Sequence, residues 1–88
     1  MMDIIWDKQA KTDFEAILAR VPIFLRDIAA KKVSQKAEMI ARNENRQSVL
    51  QKDVVDAFFT ETPFGFHGPM KTDMKALGID YEKYGYKD

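Results

Sequence analysis

Apolar positions recur at helical spacing through most of this chain. Ala10, Phe14, Ile17, Leu18 and Val21 lie three and four residues apart and so share one face of a helix predicted over Asp7 to Ala19. Asp7 is its expected N-cap, because a carboxylate there can accept an orphan backbone N–H of the first turn. Trp6, just ahead of the cap, is placed to staple against Ala10 or the stem of Lys11. Pro22 interrupts the pattern. At the first position of a helix its missing N–H costs nothing, so Pro22 is read as the start of a second helix running to about Asn45. The stripe of that helix is Leu25, Ala29, Ala30, Val33, Ala37, Ile40 and Ala41, and its alanines let a neighbouring helix come close. A helix of this length spans about 35 Å. It overhangs a three-helix core and is expected to be covered from both sides, most simply by a second copy of the chain.

Asn45 is a residue that tolerates the left-handed conformation with which many helices end. Gln47 to Leu50 read as a short extended link. A third helix is predicted from Gln51 to Thr60, with Val54, Val55, Phe58 and Phe59 facing inward. The character then changes: the stretch TPFGFHGPM, from Thr62 to Met70, holds two prolines and two glycines and reads as a loop. A short helix from Thr72 to Leu77, ended by Gly78, and a last turn from Tyr81 to Tyr84 capped by Asp80 complete the prediction. The expected fold is all-α: three main helices with a long central one, a helical domain over residues 1–62 and an aromatic Pro/Gly tail over 63–88. Phe64, Phe66, Tyr81, Tyr84 and Tyr86 are five of the ten aromatic residues, so the tail is expected to pack on its own domain or on a partner.

Composition narrows the function classes. An 88-residue chain with 45% apolar residues makes one globular domain, near the size at which association helps stability. Cysteine is absent, which removes disulfides, thiolate metal sites and a cysteine nucleophile, and suits a reducing cytoplasm. No apolar run reaches the roughly 20 residues of a membrane span, and the opening MMDIIWDK lacks the basic and small-residue features of a secretory leader. Charge balances at 14 basic and 14 acidic residues, whereas a dedicated nucleic-acid binder carries a basic excess. The excess is local: Arg20 to Arg46 holds seven basic residues and three acidic ones, with Lys31, Lys32 and Lys36 the densest cluster. The ordinary reading of such a cluster is a solvated helix face; the functional one is a surface for DNA or another acidic partner.

Candidate chemistry is sparse. His67 is the sole histidine; with Met70 it makes an imaginable axial pair for haem iron, but a lone histidine in a Pro/Gly loop is ordinarily structural. No Ser–His partnership, carboxylate pair or phosphate-binding glycine loop is recognisable. No cofactor and no catalytic or metal-ligating residue is therefore assigned, and an enzyme is not expected. Arg46 and Asp53 are placed to form a clamp between the link and the third helix. Phe64, Phe66 and Tyr81 join Lys31, Lys32 and Lys36 as candidates for partner binding.

Two resemblances add to this reading. Trp6, Phe14, Leu18, the string Val21-Pro22-Ile23-Phe24-Leu25-Arg26 and the Glu38-to-Ala41 step resemble the small C-terminal domain of the B subunit of light-independent protochlorophyllide reductase, a domain that also occurs free-standing. The likeness covers about residues 6 to 60. It implies association with a nitrogenase-like reductase that acts on a tetrapyrrole, as a non-catalytic module, since that enzyme's iron–sulfur ligands lie in the body of its subunits. Residues 33–58 are also similar to the histone fold. There Ala37, Ile40, Ala41, Arg42, Arg46, Ser48, Val49, Asp53, Val54 and Ala57 fall at matching positions, and Arg46 with Asp53 corresponds to that fold's arginine–aspartate pair. This second likeness implies a dimer that binds DNA or another acidic partner through the basic side of the central helix.

Overall fold

A computed structural model of the chain describes residues 3–87; Met1 and Met2, on which the reading of the opening as leader-free partly rests, lie outside them. The described chain is predominantly helical. Strand β1 (Ile5–Trp6) is followed by helices α1 (Lys8–Leu18) and α2 (Ile23–Asn43), strand β2 (Ser48–Val49), helix α3 (Gln51–Glu61), a 3₁₀ turn (Phe64–Phe66), helix α4 (His67–Ala76) and a last 3₁₀ turn (Glu82–Tyr84).

Asp7 caps α1 as its chemistry requires, its carboxylate accepting the Gln9 N–H at 3.2 Å. The other end of α1 is closed from a distance. Arg26, on the first turn of α2, donates to the carbonyls of Leu18 (3.0 Å), Ala19 (3.1 Å) and Val21 (2.8 Å). Those carbonyls have no partner within the helix, and a cation there also complements the helix dipole. This bond set fixes the sharp corner between α1 and α2. Pro22 sits in that corner as N-cap, extended at ψ 139°, one residue ahead of the position expected for it.

Val33, Ala37 and Ala41 are the buried positions of α2. Their small side chains let α3 lie close, and α3 buries Val54, Val55, Ala57, Phe58 and Phe59 in the same core. Asn45 ends the α2 region at φ 59°. The link that follows is more ordered than its sequence implied. Ile5 pairs with Ser48 and Trp6 with Val49 in a two-stranded parallel ladder, extended by Asp7 N–H to the Val49 carbonyl at 2.9 Å. Period-2 patterning cannot reveal strands of two residues.

Three local expectations change. Trp6, placed by its sequence only against α1 at Ala10 or Lys11, also reaches α2: its ring lies 5.1 Å from that of Phe14, and its indole N–H donates to Glu38 at 2.9 Å. The stretch read as a loop contains the start of α4, which begins at His67. Gly68 and Pro69 fall in its first turn, where backbone N–H groups have no helical acceptor and proline is tolerated. The last 3₁₀ turn has no side-chain cap from Asp80 and ends on Gly85 at φ 98°. The tail enters the same core as the helices: Met70, Met74, Ile79 and Tyr81 are buried in one cluster with the side chains of α1, α2 and α3.

Candidate functional site

Arg46 and Asp53 meet in a bidentate pair, with Nη1–Oδ2 at 2.6 Å and Nη2–Oδ1 at 2.7 Å. Asp53 is fully buried. Its Oδ2 also accepts the Leu50 N–H at 2.8 Å and so caps α3, a role its neighbour Leu50 has no side chain to fill. Arg46 further donates to the Ser48 carbonyl at 2.9 Å and to Glu44 at 2.7 Å. Both carboxylates drive the Arg46 pKa upward, so the guanidinium is permanently charged. Glu44 is held below its usual value by its bond to Arg46 and by the charge of Lys52. Asp53 is satisfied within the chain, and the pair acts as a clamp on the α2–β2–α3 corner.

A second polar network ties the tail down. Asp13, buried in α1, accepts from Gln9 (2.9 Å) and Gln51 (2.7 Å), and Gln51 in turn accepts from the Tyr84 hydroxyl at 2.5 Å. Tyr86 stacks on Phe59 at 4.0 Å and 5° and donates to Asp56 at 2.6 Å; Asp56 also accepts from Lys52 at 2.9 Å. Burial, then the Asp56 carboxylate, push the Tyr86 phenol pKa well above its usual value. The folded chain thus keeps this proton where the unfolded chain releases it. The stability it contributes is fully present below about pH 10, the unfolded value, and falls as pH rises beyond it. Tyr86→Phe is therefore expected to flatten the loss of stability above pH 10, read as the difference between the two proteins' urea midpoints from pH 8 to 11. Parallel curves would show that this proton is not linked to folding.

His67 is bound as well. Its Nε2 lies 2.9 Å from the Thr62 carbonyl, and its ring sits edge-on to Phe59 at 5.1 Å. Met70 is buried in the core. The pair is thus part of the packing between α3 and α4. Among the described residues, no group of three or more His, Asp or Glu side chains is arranged to hold a metal ion.

The feature not explained by folding is apolar and exposed. Ile23 is 78% accessible, Phe24 80% and Phe64 88%, with Ile28 and Phe66 each more than half exposed. Leu25, expected in the buried stripe of α2, is 44% exposed. Beside these residues lies a groove of about 480 Å³ between the first turns of α2, the end of α3 and the start of α4. Leu25, Ile28, Val33, Phe58, Phe66 and Met70 line it, and Arg20, Lys32, Glu61 and Asp73 stand at its charged margin. Arg20 and Asp73 approach each other at 3.4 Å. This groove and the exposed residues near it are the candidate interaction site.

Residues 2–87 match the family model described as protein of unknown function (DUF2621). The chain belongs to the DUF2621 family. No curated protein and no solved structure matches it.

The six partner-binding candidates of the DUF2621 chain separate in the structure. Lys32 and Phe66 share the groove, and Phe64 projects from the same 3₁₀ turn as Phe66. Lys31 is exposed and Lys36 is half-buried further along α2. Tyr81 is withdrawn: it is 1% exposed, among the largest fully buried side chains, and touches no solvent from which a partner could approach. Sequence reasoning missed Ile23, Phe24 and Ile28. Their signal was present, since assigning Leu25, Ala29 and Ala30 to the buried stripe leaves three large apolar residues off it. Among the described residues of this DUF2621 protein, no helix is long and apolar enough to cross a membrane.

Proposed function

We propose that this protein is a non-catalytic interaction module that docks on a larger protein through the first turns of α2 and the Phe64–Phe66 turn. One observation carries the reading: the string Val21-Pro22-Ile23-Phe24-Leu25-Arg26 divides into structural and projecting residues. Arg26 closes α1 and Val21 packs against the core, while Ile23 and Phe24 stand almost fully in solvent. Holding two large apolar side chains in water gives no folding stability, so their value lies in an interface.

The partner class comes from the resemblance to the domain of light-independent protochlorophyllide reductase: a nitrogenase-like or tetrapyrrole-handling redox enzyme, in the cytoplasm. The geometry supports that resemblance in one respect. Trp6 and Glu38, two of the residues that carry it, are bonded to each other, and Phe14 packs at a tilt against both Trp6 and Phe58. The likeness to the histone fold is supported in shape by α2, the β2 link and the Arg46–Asp53 pair. A DNA-binding role gains less. Asp27 lies one helical turn before Lys31, and acidic residues stand at the groove margin beside Lys32, so the basic surface is broken.

Affinity-tagged wild-type chain expressed in its own host is expected to co-purify a subunit of such an enzyme, and Phe24→Asp to lose it while keeping the wild-type helical circular dichroism. Recovery of the same enzyme by both chains would place the docking surface elsewhere. Recovery of no redox or tetrapyrrole enzyme by the wild-type chain would overturn the partner class.

A further inference from the structure

We infer that the apolar surface of α2 and the Phe64–Phe66 turn is also a self-association surface, on which two copies of this chain form a two-fold dimer. The inference rests on the interaction-module reading for the surface but not for its partner. Area points to a second copy. Leu25, Ile28 and Phe66 line the groove, and Phe24 stands one helical turn before Ile28; the four are between 44% and 80% exposed. At roughly 200 Å² for each such residue when fully exposed they present on the order of 500 Å² of apolar surface. That is the upper part of the range for the largest apolar patch of a monomer, about 300–600 Å², and close to the apolar share, roughly 60%, of the about 800 Å² that one partner contributes to a standard stable interface.

Shape and charge point the same way. A two-fold interface must be self-complementary, because each copy offers the same patch to the other. This patch holds both halves of such a contact: the groove of about 480 Å³ and, beside it on α2, the projecting ring of Phe24. The dimer seats Phe24 of each copy over Leu25, Ile28 and Phe66 of the other. The margin carries two cations, Arg20 and Lys32, and two anions, Glu61 and Asp73. A two-fold axis can therefore set the cations of one margin against the anions of the other, and the zero net charge of the chain adds no repulsion between copies. The contact lies at one end of α2 and leaves the exposed Met39, near its other end, outside.

Sedimentation equilibrium over a concentration series tests this with the full chain. The wild-type protein is expected at twice its 10.2 kDa mass. Phe24→Asp combined with Ile28→Asp is expected to raise the dissociation constant on the order of 100-fold, the range for losing central interface residues. Both side chains are mostly in solvent, so the helical circular dichroism should be unchanged. Met39→Asp is expected to leave the dimer intact. A wild-type monomer at all concentrations up to the millimolar range overturns the dimer, as does a Met39→Asp variant that dissociates while the double variant does not. A monomer that binds phospholipid vesicles through Phe24 also overturns it, in favour of a membrane surface. A monomer whose tagged form still recovers the redox enzyme sinks the dimer and keeps the docking reading. A dimer that recovers no such enzyme does the reverse.

Discussion

Replacing Asp53 by alanine is expected to lower stability by about 3 kcal/mol, the order found when one member of a buried ion pair is removed. Two groups lose an acceptor at once. The Arg46 guanidinium is left with its bonds to Ser48 and Glu44, of which only Ser48 belongs to the corner itself. The Leu50 N–H, which opens α3, is left without its cap. The site cannot rehydrate cheaply, because Asp53 is fully buried beneath the α2–β2–α3 corner. For a domain of this size such a loss lowers the thermal midpoint on the order of 15 °C. Asp53→Asn separates the two roles: its side-chain oxygen can still cap α3, but the charge that Arg46 meets is gone, so a smaller loss is expected. Thermal unfolding followed by far-ultraviolet circular dichroism reads both. A midpoint for Asp53→Ala within a degree or two of wild type would show that the pair is ornamental to stability.

Tyr81→Ala is expected to cost about 3–4 kcal/mol, the range for truncating a large buried aromatic. The ring is 1% exposed and lies 5.9 Å from that of Phe59, which also stacks on Tyr86 and meets His67. Its removal leaves a cavity where the tail joins α3, beside the tail's other buried apolar side chains, Met70, Met74 and Ile79. Phe64→Ala supplies the contrast. Phe64 stands 88% exposed, so its truncation should change stability by less than about 0.5 kcal/mol. Two aromatic residues of the same tail thus differ in duty, one buried in the fold and the other exposed on the surface proposed for docking. Equal losses in urea midpoint for the two variants would contradict that division.

The candidate site was partly legible beforehand. Phe64, Phe66 and Tyr81 are grouped as partner candidates because a tail so rich in aromatics packs either on its own domain or on a partner. Tyr81 lies instead in the core. The difference is place along the chain: Tyr81 follows α4, and there its ring comes within 5.9 Å of that of Phe59. The sequence placed that helix only from Thr72 to Leu77; its start was hidden by Gly68 and Pro69, which disfavour a helix interior but not a first turn. Ile23, Phe24 and Ile28 went unread because apolar periodicity cannot say which of two apolar faces is covered.

The sequence by itself determined the local elements. Helix periodicity placed α1, α2 and α3 to within about two residues, Asp7 declared its cap, Asn45 the end of the long helix, and the Arg46–Asp53 spacing a clamp. These are matters of residues within one or two turns of each other, where backbone sterics and nearby polar groups decide. Only the tertiary structure decided what depends on residues far apart in sequence. It paired Ile5 and Trp6 with Ser48 and Val49, joined Trp6 to Glu38 and closed α1 with Arg26. It also sank Tyr81 and left Ile23 and Phe24 in water. The physical reason is that burial is a property of the assembled chain: which face of α2 meets α3, and which meets nothing, is set only when the helices have packed.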